Sequence, residues 1–239
     1  MQTIPVYFHE GSYCVRSLEH SEDLTQAYQL RHEVFRKRLQ WLPATPWQLD
    51  IDEYDEGAHQ LGVFDLDNTL CAVARLISPD HAYMMETAFS ALVDEDHDIR
   101  KEADTAEVSR LTVSPFLKQA GVSPAQVAKI LYKGIYHWSV INQVRYLYLV
   151  VEKKFWKALL LCGFPCKPVG EIKCLPPAKV QSVAAILDLE QFRYSGALER
   201  PQFLYWLSEH LPSPTLWPTQ WRDRGLMNEV STGYFEHET

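Results

Sequence analysis

Hydrophobic and polar positions along the chain fall into blocks of alternation, helical recurrence or unbroken apolar run, and these blocks predict its elements. In the first 20 residues Tyr13, Val15 and Ser17 alternate with shorter or charged neighbours, as in a strand. Over 22–38, Leu24, Ala27, Tyr28, Val34 and Phe35 recur at helical spacing, with Ser21 as N-cap and Glu22 and Asp23 in the first turn. Arg31 and Phe35, four apart, share a helix face. Pro43 and Pro46 then break the period, and 40–57 reads as an acidic loop. Strands over 58–66 and 70–77 flank Asp67-Asn68 and read as a hairpin.

A short helix is expected over 84–93, an exposed charged segment over 94–103, and a strand over 104–113 that carries Glu107, Ser109 and Arg110. Ser123-Pro124 opens a helix that runs to about 142. The Tyr-, Leu- and Val-rich run 145–151 reads as a central strand, followed by a helix over 152–162 stopped by Gly163. A weaker strand over 165–171, a turn at Pro176-Pro177, a strand over 180–188 and a helix over 198–210 complete the order. The tail beyond Pro212 is rich in Pro and Trp and is expected to pack across the body. Adjacent strands come early and strand–helix alternation late. That order favours one α/β sandwich over a doubly wound nucleotide domain.

At 239 residues the chain suits one large domain, or one with an appendage, and its 46% hydrophobic and 23% charged composition is that of a globular protein. The net charge of −8 makes it a poor general nucleic-acid binder, although a local basic patch could receive an acidic partner. It shows no secretory signal pattern and no apolar stretch long enough for a bilayer. The five cysteines, Cys14, Cys71, Cys162, Cys166 and Cys174, suggest reduced thiols in cytoplasm.

Two constellations can carry chemistry. The first is Arg31, Phe35, Trp41, Asp50, Asp52 and Asp55: a guanidinium fork, carboxylates able to hold a cation, and rings able to stack on a sulfonium. It reads equally as a surface acidic loop over a core Phe and Trp. The acids lack the calcium-loop pattern. The second is Arg75 with Glu107 and Arg110. A buried arginine needs a partner, so a structural Arg–Glu network competes with a catalytic one. Glu107 and Arg110, three apart, face opposite ways on a regular strand, and a bulge or strand end is needed to bring both to one cleft. The cysteine spacing is not that of a zinc site, and there is no nucleophile elbow, P-loop or dinucleotide fingerprint. Lys153, Lys154 and Lys157, with Arg145 just before, form a basic cluster that reads either as a docking site for an acidic carrier or as a solvated face.

Taken together, these residues resemble the acyl-homoserine-lactone synthases of bacterial quorum sensing. Arg31, Phe35 and Trp41 are similar to the family's Arg-x3-Phe-x5-Trp; Asp50, Asp52 and Asp55 to its Glu-x-Asp-x-x-Asp, with Asp50 one methylene shorter. Arg75, Phe89 and Glu107-Val108-Ser109-Arg110 follow in the family's order, and the resemblance covers roughly residues 10–190. It extends to N-acyl amino acid synthases and exosortase-associated acyltransferases; Trp41 favours the lactone synthases, and Ala58-His59 would suit the exosortase group. A non-catalytic carrier-binding or ligand-binding module is the more distant alternative.

The resemblance implies an α/β fold of the N-acetyltransferase type, a twisted mixed sheet flanked by helices as a three-layer sandwich. Residues 1–195 would form the catalytic domain and 196–239 a C-terminal helix and tail packed on it. It implies S-adenosylmethionine as substrate rather than cofactor, acyl carrier protein or acyl-CoA as donor, no metal, no nucleic acid and no stable membrane insertion. Glu107, Arg110 and Asp52 would be catalytic, with Glu107 as general base or as a residue that only orients Arg75 or Arg110. Asp52 and Asp55 would pair with Arg31; Arg31, Phe35, Trp41, Asp50, Asp55, Arg75, Phe89 and Ser109 would bind substrate. Leu147, Tyr148 and Leu149 would line the acyl pocket, and Arg145, Lys153, Lys154 and Lys157 would meet the carrier. The strand 146–151 has no threonine, which in the family often accompanies 3-oxo chains; this points away from a 3-oxo acyl group unless a tyrosine hydroxyl takes that place.

Overall fold

The computed structural model describes residues 3–118, 120–176 and 179–211. The chain opens with a hairpin, β1 (Tyr7–Glu10) and β2 (Tyr13–Ser17), where the alternation had suggested one strand; Gly11, at φ 56°, supplies the turn. Helix α1 (Ser21–Arg31) takes its cap position at His20 and runs without a break into a π-helical stretch, His32–Arg38. β3 (His59–Phe64) and β4 (Leu70–Ile77) form the expected hairpin. Its turn is held by the Asp65 carboxylate, which accepts from the amides of Asp67 and Thr69 at 3.0 and 2.9 Å, while Asn68 takes φ 58°.

β5 (Thr105–Val113), α2 (Pro124–Ile141), β6 (Tyr146–Glu152) and α3 (Lys153–Cys162) follow. The expected strand over 165–171 is reduced to β7 (Lys167–Pro168), with β8 (Lys173–Cys174) beyond it, before β9 (Gln181–Asp188). The helix expected over 198–210 is α5 (Pro201–Ser208), and a further helix that was not expected, α4 (Leu189–Glu199), precedes it. Asp188 caps α4 by accepting from the Glu190 and Gln191 amides at 2.9 and 3.3 Å, and Pro201 forces the break, since it cannot continue the α4 hydrogen-bond ladder. The segment 84–93 forms two 3-10 turns, Met84–Glu86 and Ser90–Leu92, rather than a helix. The Pro/Trp tail from 212 lies outside the described residues.

The strands form one mixed sheet in the order β1-β2-β3-β4-β5-β6-β9-β7, with β8 also on β9. Its pairs are antiparallel except β5 with β6. β4 is buried along its whole length, as a strand covered on both faces must be. Ala72, Ala74 and Leu76 pack with Val127, Ile130 and Leu131 of α2; Val73, between them, packs with Ala27 and Leu30 of α1. Alternation therefore puts α2 and α1 in separate layers on opposite faces of the sheet.

Candidate active site

The site begins where β5 departs from regular pairing. Arg75 of β4 pairs with Ser109 and Val73 with Thr112, so three steps on β5 oppose two on β4. Arg110 occupies this bulge at φ 50°, a left-handed conformation for a non-glycine residue. The extra residue turns Arg110 to the same side as Glu107 and Ser109.

On that side four guanidiniums meet three carboxylates. Arg31 Nη1 and Nη2 clamp Asp55 at 2.7 and 2.9 Å, and its Nε reaches Asp50 at 3.1 Å. Asp50 also accepts from Arg36 Nε at 2.6 Å and Arg110 Nε at 2.8 Å. Asp52 takes Arg110 Nη2 at 2.6 Å and Arg75 Nη1; the expected Asp52–Arg31 pairing is replaced by these two, because Arg31 is filled by Asp50 and Asp55. Arg75 further bonds Ser109 Oγ at 2.9 Å and lies 3.0 Å from Asp55. Burial opposes ionisation of Asp50 and Asp55, but the guanidiniums prevail: Asp50 is held below the usual carboxylate range and Asp55 at about 2. Every one of these carboxylates is answered by arginine, an arrangement that repels a metal cation. Arg31, Arg75 and Asp50 are fully buried, whereas the side chains of Asp52 and Arg110 retain 13% and 11% exposure and can reach a bound molecule.

Glu107 faces the same side and is 1% exposed. Its two oxygens accept from the amides of Met84 (2.5 Å) and Met85 (3.1 Å), in the 3-10 turn after β4, and it makes no hydrogen bond to Arg75 or Arg110. Burial dominates and pushes its pKa up to about 7, although the two amides and Arg75 pull the other way. A carboxylate at that value can accept a proton near neutrality.

A cavity of about 390 Å³ opens beside these groups. β5 and β6 pair only from Thr105–Tyr146 to Val108–Leu149 and splay beyond that, which leaves main-chain edges without ladder partners. The cavity passes through this splay. At one end Phe35, Trp41, Met84, Phe89, Glu107, Ser109 and Arg110 line it; at the other it runs among Tyr132, Ile135 and Tyr136 of α2, Leu147 and Leu149 of β6, and Phe155 and Leu159 of α3. Phe35 and Trp41 rings sit 5.8 Å apart, and Arg110 stacks over Phe35 at 5.4 Å. Polar groups thus lie on the α1 face of the sheet and an apolar tunnel on the α2 face.

Two further expectations need correction. Tyr148 does not line the cavity. It alternates with Leu147 and Leu149, so it faces the other side, where Tyr83 packs on it and the Arg100 amide donates to its hydroxyl at 3.1 Å. Arg145 is not part of the basic cluster. It precedes β6 while the lysines follow it, and it is bound by Asp188 (2.8 and 3.0 Å) and Glu190 (2.5 Å). Lys153 bonds Gln181 at 3.0 Å, and Lys154 and Lys157 are exposed. The sequence reading missed Arg36, whose place one residue after Phe35 was its one signal. It also missed the amides of Met84 and Met85, which no side-chain pattern marks, and the α2 wall of the cavity, whose residues read as ordinary core.

The sheet, splayed at its parallel pair and covered by helices on both faces, sets a buried carboxyl group at the opening of the cavity. The chain belongs to the autoinducer synthase family, which it matches over residues 15–195. It is 26% identical to the acyl-homoserine-lactone synthase of Vibrio anguillarum over 192 residues, 79% of this chain and 95% of that protein. The AHL synthase LasI superposes with a TM-score of 0.66 at 19% identity, over 74% of this chain and 90% of LasI. The CoA-dependent synthase BjaI, solved with SAM and isopentyl-CoA, gives 0.64 at 20% identity, over 82% and 85%.

Proposed function

We propose that this enzyme is an acyl-homoserine-lactone synthase: it transfers an acyl group from a thioester to the amine of S-adenosylmethionine, then closes the lactone with release of methylthioadenosine. The observation that carries the reading is Glu107, a buried carboxyl group with a pKa of about 7, at the opening of an apolar tunnel between splayed strands. Membership of the family supplies the reaction.

Glu107 takes a proton from the substrate ammonium, directly or through a water. The freed amine attacks the thioester carbonyl, the C–S bond breaks and the thiol leaves. In this reading the developing oxyanion is received by main-chain N–H groups of the β5 and β6 edges, which lack ladder partners beyond Val108–Leu149. The methionine carboxylate then attacks its own γ-carbon. That C–O bond forms as the C–S⁺ bond breaks, and methylthioadenosine departs.

Phe35 and Trp41 form the wall for the sulfonium substrate. Asp52 and Arg110, the exposed members of the network, contact its charged groups, while Arg31, Asp50, Asp55, Arg75 and Ser109 hold them in place. Phe89 closes the opening, and Leu147 and Leu149 receive the acyl chain. Lys154 and Lys157 stand exposed on α3, the helix whose Phe155 and Leu159 line the tunnel, and in this reading they meet an acidic carrier protein or the phosphates of CoA. Among the described residues no helix is long and apolar enough to cross a membrane, and both substrates are metabolites of the cytoplasm, where we place the reaction.

The test is a product scan by mass spectrometry with S-adenosylmethionine and a panel of acyl carrier protein and acyl-CoA thioesters. An acyl-homoserine lactone formed together with methylthioadenosine is expected. Acyl transfer to a free amino acid without methylthioadenosine would assign the chain to the amino-acid acyltransferases instead, and folded protein with no turnover on any donor would leave a binding module.

A further inference from the structure

Two arms of the chain meet beside the site, and one tyrosine joins them. The first arm is the 3-10 turn Glu53–Asp55, whose cap residue Asp52 holds Arg110. The second is the run from Tyr83 to Phe89, built of turns alone; its Met84 and Met85 amides hold Glu107, and its Phe89 lines the cavity. Tyr54 belongs to the first arm, where its amide donates to the Asp52 carboxylate at 3.1 Å. Its hydroxyl lies 2.5 Å from Thr87 Oγ1 in the second. Thr87 directs its own hydroxyl hydrogen to the Tyr83 carbonyl at 3.4 Å, so Tyr54 is the donor to Thr87. Arg75 bridges the same gap: its guanidinium lies 5.7 Å from the centre of the Tyr54 ring, and its Nη2 reaches Met84 Sδ at 3.1 Å. Below the turn, the His81 ring lies so close to Gly57 that a Cβ there would meet it at 2.2 Å. Neither Tyr54 nor Thr87 lines the cavity.

We propose that the Tyr54–Thr87 hydrogen bond is a clasp that fixes the Asp52–Arg110 pair relative to Glu107, and that Tyr54 is thereby a positioning residue for removal of the proton from the substrate ammonium. The role rests on the acyl-transfer reading of the site. A hydrogen bond at the solvent edge adds little to stability, because water replaces it when it opens. Its effect here is geometric. Asp52 and Arg110 contact the charged groups of the substrate from one arm, and Glu107 takes the proton with support from the other. Without the clasp each arm keeps its own contacts, but their common register is lost. An ammonium placed by the first arm then stands off from the carboxylate held by the second, and a misplacement of about 1 Å at a reacting pair can cost roughly 10²-fold in rate. Packing alone does not require the hydroxyl: the Tyr54 ring rests on the cluster that includes Tyr83 and Met84, and phenylalanine would rest there equally.

The experiment follows methylthioadenosine release by the full chain with S-adenosylmethionine and the thioester donor it turns over fastest. Tyr54→Phe is expected to lower kcat by about tenfold while KM for S-adenosylmethionine stays within roughly twofold, with a melting temperature close to the wild type's. Thr87→Val should do the same from the other arm, and Thr87→Ser, which keeps the oxygen, should retain the wild-type kcat. The double variant Tyr54→Phe/Thr87→Val should be no slower than the slower single variant, since all three lose one and the same bond. A wild-type kcat in folded Tyr54→Phe and Thr87→Val overturns the proposal, whatever their melting temperatures, because it leaves Tyr54 a structural role only. So do losses that multiply in the double variant, and a rise in KM with kcat unchanged. Wild-type protein that releases no methylthioadenosine with any donor overturns the reaction and this role together; a failure of the clasp alone leaves wild-type methylthioadenosine release intact.

Discussion

Glu107 and Arg110 stand three residues apart on one strand and face the same cavity, because the bulge at Arg110 (φ 50°) inserts one residue into β5 opposite β4. The acid and the guanidinium are thereby fixed on a central strand of the sheet rather than on a loop. Their supports differ: main-chain amides hold Glu107, and carboxylates hold Arg110. Glu107 therefore has no arginine hydrogen bond to hold it ionised, and burial outweighs the pull of Arg75 and the two amides and raises it to about 7.

A pH profile tests this. kcat/KM should rise as Glu107 loses its proton and level off above about pH 7. Glu107→Gln should lose that limb and fall by roughly 10²- to 10⁴-fold, while any limb from the substrate amine remains in both proteins. Stability carries a second signature. The folded pKa lies above the unfolded 4.5, so the native state holds a proton that the unfolded chain has lost between the two values. Stability must fall as pH rises through that window, by at most roughly 3 kcal/mol. The melting temperature of Glu107→Gln relative to wild type should accordingly be more favourable at pH 8 than at pH 5.

Asp55 runs the other way. Held at about 2 against an ordinary 3.8, it contributes stability that is present above the unfolded value and lost as pH falls through the folded one. Asp55→Asn leaves the fully buried Arg31 without its two-pronged partner, and urea unfolding at pH 7 should show a loss of about 3–5 kcal/mol. The variant should also lack part of the acid-induced fall in melting temperature below pH 4. A loss under 1 kcal/mol would mean that Asp50 alone satisfies Arg31.

What the sequence made legible follows from what side-chain patterns encode. The β3–β4 hairpin, β5, α2, β6 and α3 rest on local periodicity, caps and stop signals, and they stand where those signals put them. The need for a bulge was readable because Glu107 and Arg110 have a spacing that a regular strand cannot reconcile with one cleft. α4 was missed, and the helix after it was begun at 198 rather than at Pro201, because Gly196 and the mixed charges of 189–199 blur the helical pattern. Tyr148 was misplaced by taking three consecutive strand residues as one wall, against the two-residue period of a strand. Arg145 was grouped with Lys153 because the sequence sets them close, whereas a strand carries them roughly 25 Å apart.

The two faces of β6 give a direct comparison. Tyr148→Phe removes a hydroxyl that the Arg100 amide uses, so it should cost about 1 kcal/mol of stability without changing the acyl group in the product. Leu149→Phe pushes volume into the tunnel and should move the product distribution toward shorter chains, with roughly tenfold discrimination per methylene at the limit. Product profiling of both variants against one mixed donor pool decides it. A change in product from Tyr148→Phe would put the acyl chain on the other face of the sheet.

The two ends of β6 separate docking from structure in the same manner. Lys154 and Lys157 are exposed on α3, beside the tunnel. Reversing both to Glu should raise KM for a carrier-protein thioester by about tenfold at low salt, with the gap closing as ionic strength rises, because exposed charges are screened beyond a Debye length of about 10 Å at 0.1 M. kcat should hold, since neither lysine reaches the reacting atoms. Arg145→Ala removes a partly exposed ion pair with Asp188, which also caps α4, so its effect should appear in the melting temperature, worth about 1 kcal/mol, with donor KM unmoved. A donor KM that responds to Arg145 and ignores the lysines would place the carrier at the opposite end of the strand, beside α4.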